Sequence, residues 1–95
     1  MEELKKYKFI DKIKALPFVK EVWIFGSRAR GDSQERSDID IAVLCKEYAS
    51  DADWRKVQDI AEDADTLLMI DLVRFDKLKD DKFRDRILRD KKVWE

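Results

Sequence analysis

Two aspartates on one side of an apolar strand constrain this chain more than any other feature. Asp38 and Asp40 alternate with Ile39, Ile41 and Val43. Strand side chains alternate between two faces, so both acids point to one side and the apolar residues to the other. The acids' Cα atoms would lie roughly 6–7 Å apart, so the carboxylates can converge on one or two hard cations. Without a cation, crowding would raise one pKa and cost stability, whereas a divalent metal would create a phosphate-binding site.

A glycine–serine turn precedes the two acids. Gly26 and Ser27 follow a short apolar strand predicted over residues 20–25. Glycine lets the backbone approach a phosphate closely. A short helix should follow with Ser27 as its cap, so that its first amides and the Ser27 hydroxyl can bind a triphosphate. Arg28 and Arg30 are positioned to add charge-assisted phosphate contacts, although arginines on a short exposed helix are as often simply solvated.

A third acid, Asp71, interrupts the otherwise apolar strand predicted over residues 67–75. Magnesium prefers oxygen ligands and keeps some water, so two or three carboxylates and phosphate oxygens would complete its shell. Two metals about 3.5–4 Å apart can activate an attacking hydroxyl and hold the leaving oxygen in an in-line displacement. Manganese could substitute on the same ligands. The alternatives are an edge-strand Asp71 paired with Arg74, and solvent-facing positions for Asp38 and Asp40.

The apolar pattern predicts one domain over residues 1–95. It is of the α/β (α+β) class, a small mixed β-sheet with helices packed on it, in the order α-β-α-β-α-β-α. The helices are predicted at residues 2–16, 27–30, 50–64 and 80–91, and the strands at 20–25, 38–44 and 67–75. In the last helix, Phe83, Ile87 and Leu88 should face inward. The tail residues Val93 and Trp94 either pack in the core or dock on a partner.

The composition excludes several classes of function. A formal net charge of −1 gives no electrostatic case for nucleic-acid binding. The absence of histidine excludes histidine-ligated zinc and histidine-activated nucleophiles. Gly26 and Gly31 are the only glycines, and the chain contains neither a Gly-x-x-x-x-Gly-Lys-Ser/Thr P-loop nor a Gly-x-Gly-x-x-Gly dinucleotide-binding loop. With no signal peptide and no apolar run of about 20 residues, we expect a cytoplasmic protein without a membrane partner. The single cysteine, Cys45, should be buried.

Taken as one motif, these residues resemble the DNA polymerase β-like nucleotidyltransferase superfamily. Its pattern is matched by Gly26-Ser27, a spacer of ten residues, and then Asp38-Ile39-Asp40, with Asp71 on a later strand. The runs Phe-Gly-Ser-Arg-Ala-Arg-Gly and Ser-Asp-Ile-Asp-Ile-Ala-Val are similar to those of the minimal nucleotidyltransferase (MNT) family. The resemblance implies the nucleotidyltransferase fold.

The resemblance also implies roles for individual residues. Asp38 and Asp40 would bind two Mg²⁺ ions. Asp71 would complete the site and help to deprotonate an acceptor hydroxyl. Gly26 and Ser27 would hold the β- and γ-phosphates of ATP, whose AMP is transferred with loss of pyrophosphate.

Members of the minimal family pair as antitoxins with helical HEPN toxins, and some transfer AMP to a tyrosine of the toxin. The resemblance therefore implies a HEPN-type partner. Two alternatives stay open: a non-catalytic binding module that neutralises its partner by complex formation, and a small-molecule nucleotidyltransferase. The helical substrate domain of larger relatives is not expected here, which argues against the second alternative. The sequence leaves the acceptor, the base preference and homo-oligomer formation open.

Overall fold

The computed structural model describes residues 2–34 and 36–95. Its helices and strands follow the predicted alternation, with one further strand at the end. The elements are α1 (Phe9–Lys14), β1 (Val19–Phe25), α2 (Gly26–Arg30), β2 (Ile39–Cys45), α3 (Asp51–Glu62), β3 (Ile70–Arg74), α4 (Asp81–Asp90) and β4 (Lys92–Val93). Short 3₁₀ turns lie at Glu2–Leu4 and Phe75–Lys77.

The four strands form one mixed sheet in the order β3-β2-β1-β4. β1 pairs antiparallel with β2 and β4, while β2 pairs parallel with β3. The register places Phe25 opposite Asp40, and Asp40 opposite Asp71. The end of β1 and the starts of β2 and β3 therefore meet at one end of the sheet, as the predicted mixed sheet requires.

The sheet has an apolar core on each face. Ile24, Ile39 and Ile41 belong to the larger core, which α1 and α3 cover. Trp23, Phe25, Ala42, Phe75 and Ile87 form the smaller core beneath α4. Since strand side chains alternate, the acids next to Ile39, Ile41 and Ile70 point to the α4 face.

The predicted first helix, residues 2–16, is wrong in extent. Only Phe9–Lys14 is helical, and Leu4 is fully buried in a separate turn. The prediction rested on apolar residues at three-residue steps from Leu4 to Leu16. The helix that forms is short and depends on the packing of Phe9, Ile10 and Ile13.

Two local predictions in the middle of the chain have opposite outcomes. Ser27 does not cap α2: the cap position is Phe25, which makes no side-chain hydrogen bond, and Ser27 lies inside the helix. The Ser27 carbonyl instead accepts hydrogen bonds from the amides of Gly31 (3.0 Å) and Asp32 (3.1 Å) and closes the helix. Cys45 is buried as predicted.

The tail is part of the core. Lys92–Val93 adds a strand that the sequence did not reveal, because two residues carry no periodic signal. Trp94 is fully buried, its indole Nε1 donates to Asp11 Oδ1 at 2.8 Å, and its amide donates to the Val22 carbonyl at 2.8 Å. Core packing of Trp94 is therefore confirmed, and docking of its side chain on a partner is wrong. Leu88, expected to face inward, is 42% exposed because α4 turns it away from the sheet.

No helix in residues 2–34 and 36–95 is long and apolar enough to cross a membrane.

Replacing Trp94 by alanine should destabilise the protein by about 3–5 kcal/mol, because it opens a cavity in the larger core. Urea unfolding followed by circular dichroism measures the loss. The neighbouring Val93→Ala is the control, since Val93 is 41% exposed and should cost less than about 1 kcal/mol. Equal losses in the two variants would show that the tail does not hold the core.

Candidate active site

Six of the seven sequence-predicted site residues line one cleft of about 810 Å³. They are Gly26, Ser27, Arg30, Asp38, Asp40 and Asp71. The parallel register of β2 and β3 places two of the acids side by side, and the antiparallel register of β1 brings the glycine turn next to them. The sheet thus assembles residues that are far apart in the sequence.

Asp40 and Asp71 form a crowded carboxyl pair. The pKa of Asp40 is raised to about 6, first by burial, then by its hydrogen bond to Asp71 and by the charges of Asp71 and Asp38. Arg30 opposes the rise but does not cancel it. Asp40 therefore keeps its proton to a higher pH than an ordinary aspartate, at a place where a cation would relieve the same repulsion.

The carboxyl pair fits a hard divalent cation. Within residues 2–34 and 36–95, no three acid side chains lie close enough together to bind one metal ion as they stand. Asp40 and Asp71 can hold one between them, and Asp38 lines the same cleft but is exposed. Magnesium commonly takes one or two carboxylates and completes its shell with water and phosphate oxygens, which this donor set allows.

Gly26 is required by both conformation and space. Its φ of 73° is one that side-chain-bearing residues rarely adopt. A Cβ at this position would overlap Asp40 Oδ2 and come within 3.0 Å of Asp40 Cγ. The glycine was predicted as a point of close approach to phosphate. In the structure it also makes room for the Asp40 carboxyl group.

Arg28 does not line the cleft. It is 6% exposed, and it donates hydrogen bonds from Nη2 to the Ser37 carbonyl at 2.7 Å and from Nε to the Asp38 carbonyl at 3.2 Å. Its Nη1 also lies 3.7 Å from Glu3 Oε1. Side chains two residues apart on a helix are rotated by roughly 200° about its axis, so Arg28 and Arg30 point to nearly opposite sides of α2. These contacts make Arg28 a positioning residue for the Asp38 backbone, and they do not support the phosphate contact expected from the sequence.

Arg30 reaches the cleft but is already paired. Its Nε lies 3.3 Å from Asp32 Oδ2, and its Nη1 lies 3.4 Å from Asp90 Oδ2. The hydrogen bond to Asp32 is the main cause that raises the pKa of Arg30. A phosphate at this place would therefore share the guanidinium with these carboxylates or compete with them for it.

Helix α4 contributes cleft residues that the sequence reading missed. Phe83, Arg86 and Asp90 all line the cleft. Their spacing of three and four residues puts them on one helix face. That spacing was visible in the sequence, but an alternation of acidic and basic residues is usually a solvated surface. The packing of Phe83 against Phe25, with ring centroids 5.8 Å apart, and the ion pair between Arg30 and Asp90 show that this face turns towards the cleft.

The family model for polymerase β nucleotidyltransferases matches residues 7–94. This chain belongs to that family. The family expected from the glycine–serine and aspartate motifs is therefore confirmed. Among curated proteins, none is significantly similar in sequence.

Solved structures share the fold. A chain of a toxin–antitoxin crystal structure with AMP-PNP is 24% identical with a TM-score of 0.68, over 92% of this chain and 71% of that one. A chain of a mutant MntA-HpeT toxin–antitoxin structure is 27% identical with a TM-score of 0.64, over 90% and 68%. A nucleotidyltransferase structure from Sulfolobus solfataricus is 25% identical with a TM-score of 0.57, over 98% and 78%. The nucleotidyltransferase fold is thus confirmed, and the toxin–antitoxin neighbours agree with the minimal family.

The raised pKa of Asp40 predicts a pH-dependent gain in stability for Asp40→Asn. When the pH is below 3.8, the ordinary pKa of an aspartate, Asp40 is protonated in folded and unfolded chains alike, so it does not lower the free energy of unfolding. As pH rises from there to about 6, the folded state alone retains the proton, and native stability falls. At pH 7.5 the variant should exceed the native protein by about 1–2 kcal/mol, after allowance for partial solvent screening.

Urea unfolding at pH 3.5 and pH 7.5, without metal, measures this gain, which should vanish at the lower pH. Asp85→Asn on the exposed face of α4 corrects for the loss of one negative charge. An Asp40→Asn gain that is equal at both pH values, or equal to that of Asp85→Asn, would disprove the crowding.

Arg28→Met should destabilise the fold by about 1–3 kcal/mol, because it leaves the Ser37 and Asp38 carbonyls without their donor. Arg30→Met is the matched control on the same helix and should cost less than about 1 kcal/mol, because its ion pairs are solvent-exposed. Urea unfolding at pH 7.5 compares the two. A larger loss for Arg30→Met would contradict the positioning role.

Proposed function

We propose that this nucleotidyltransferase is a Mg²⁺-dependent adenylyltransferase that moves AMP from ATP to a hydroxyl of a HEPN-type toxin partner, acting as its antitoxin in the cytoplasm. The observation that carries the proposal is the crowded Asp40–Asp71 carboxyl pair beside a glycine turn, whose repulsion a cation would relieve. The acceptor we favour is a tyrosine.

The proposed reaction is an in-line displacement. The acceptor oxygen attacks the α-phosphorus of ATP, the bond to the β-phosphate oxygen breaks, and pyrophosphate leaves. The acceptor's proton passes to Asp71, which is exposed on the cleft side of β3. Bound Mg²⁺ would stabilise the charge that develops on the transferring phosphoryl group.

The chain's own residues would orient the triphosphate. Gly26 and Ser27 present backbone and hydroxyl groups at the edge of the cleft, and Arg30 and Arg86 carry positive charge along its wall. A planar guanidinium donates two hydrogen bonds to phosphate in fixed geometry, so these arginines would set the direction of the leaving pyrophosphate. Two Mg²⁺ ions are part of the proposal, with Asp38 joining the carboxyl pair when nucleotide binds.

A protein acceptor is supported by the structural neighbours. The chain that is 27% identical belongs to a toxin–antitoxin assembly of MntA and HpeT. This likeness extends over 90% of the chain. It favours a toxin partner over a small-molecule acceptor, and neutralisation by complex formation alone is the competing outcome of the assay below.

Asp40→Asn should reduce transfer at least a hundredfold, because one member of the carboxyl pair loses its charge. The assay incubates the chain with α-labelled ATP, Mg²⁺ and the HEPN-type protein encoded beside it, and follows label on the partner. Asp85→Asn should transfer like the native chain. If the native chain binds the partner without labelling it, the binding module replaces the enzyme as the function.

Gly26→Ala should abolish transfer and weaken Mg²⁺–ATP binding more than tenfold, because the new methyl group displaces the Asp40 carboxyl. Gly31→Ala is a close control: its φ is 84°, yet its Cβ would meet nothing within 4 Å. In both variants the free energy of unfolding should fall by about 1–2 kcal/mol, because alanine is strained at a positive φ. Isothermal titration with Mg²⁺–ATP separates them, and similar binding by the two would refute the steric role of Gly26.

A further inference from the structure

A second groove opens on the opposite side of Asp38 from the glycine turn. It encloses about 550 Å³ and is lined by Lys6 and Tyr7 and by the segment 65–69 between α3 and β3. Arg36 and Asp38 line both this groove and the catalytic cleft. A group bound in the groove therefore lies directly beside the acids of the cleft.

The order of the strands places the glycine turn and the groove on different sides of Asp38, as an in-line displacement requires of the leaving and attacking groups. The glycine turn follows β1, Asp38 and Asp40 flank the first residue of the inner strand β2, and segment 65–69 leads into β3. Attacking and leaving oxygens must lie on opposite sides of the phosphorus. With the leaving pyrophosphate near the β1 end, the attacking group should arrive from the β3 side, where the groove opens.

The groove presents apolar side chains to water. Leu67 is fully exposed and Met69 is 69% exposed. Their backbone is anchored, because the Leu68 amide donates to Thr66 Oγ1 at 3.1 Å and the Ile39 amide donates to the Met69 carbonyl at 2.9 Å. The two side chains project from this held segment at the edge of the sheet, since β3 has no neighbour on its outer side within the described residues.

The chemistry of the groove selects among occupants. Two exposed apolar side chains match neither a polyphosphate nor a free sugar. Lys6 and Arg36 stand beside Asp38 and Asp65, a mixed charge that does not suit a nucleic-acid backbone. A protein segment combines apolar side chains that can cover Leu67 and Met69 with a hydroxyl that can extend past Asp38 into the cleft, where Asp71 lies.

We infer that this groove is the acceptor surface: it binds the segment of the partner protein that carries the hydroxyl to be modified. The inference rests on the proposed function for the chemistry at Asp38. The groove itself is a docking surface that can be tested without any transfer.

The test uses Leu67→Asp/Met69→Asp with the HEPN-type protein encoded beside the chain as probe. Leu88→Asp is the control, an exposed apolar residue that lies outside both the cleft and the groove. Complex formation is measured by titration without nucleotide, transfer is measured with α-labelled ATP at several partner concentrations, and Mg²⁺–ATP binding is measured separately.

The groove variant should bind the partner at least tenfold more weakly and show a KM for the partner raised by a similar factor. Its kcat at saturating partner and its affinity for Mg²⁺–ATP should stay native, and Leu88→Asp should match the native chain throughout. Native binding and native KM in the groove variant would overturn the inference, as would the absence of any complex with the native chain. If the native chain forms the complex without transfer and the groove variant loses it, the enzyme proposal fails while the docking surface stands.

Discussion

The parallel register of β2 and β3 places the carboxyl groups of Asp40 and Asp71 side by side, where their charges repel each other. The rest of the site is arranged around this repulsion. Burial, then the hydrogen bond to Asp71 and the charges of Asp71 and Asp38, raise the pKa of Asp40 to about 6. The antiparallel register of β1 brings Gly26 next to Asp40, at a position where the methyl group of an alanine would overlap the Asp40 carboxyl. A site that is electrostatically unfavourable when empty is poised to favour a cation, because binding removes the repulsion that folding leaves unsatisfied.

One short helix performs two tasks because of its rotation per residue. Arg28 turns inward and fixes the backbone that carries Asp38, whereas Arg30 turns outward to the cleft and to the acids around it. An arginine buried against main-chain carbonyls is rigid, while one in exposed ion pairs can exchange its partner at small cost. The helix thus separates a fixed element of the site from an adjustable one.

The parts of the site that the sequence predicted are those governed by local periodicity. Alternation identified the strand that carries Asp40 and directly follows Asp38, and the glycine–serine motif identified the turn beside these acids, since both signals lie within a few residues. The orientation of Arg28, the strand at Lys92–Val93 and the burial of Trp94 depend on neighbours remote in sequence. The face of α4 towards the cleft was missed for the same reason. Propensity also overestimated the first helix, because it ignores where Leu4 has to pack.

If the cleft binds ATP as proposed, its charge would discriminate between forms of the nucleotide. Four aspartates and three arginines line it, and Asp32 and Asp90 already partly neutralise Arg30. Free ATP would bring several negative charges towards Asp38, Asp40 and Asp71, and repulsion would oppose its entry. A nucleotide that carries Mg²⁺ would be attracted to the carboxyl pair rather than repelled by it. Its outer phosphates would then compete with Asp32 and Asp90 for Arg30. Metal and nucleotide are therefore expected to enter as one species, with the acids selecting the cation and the arginines orienting the phosphates.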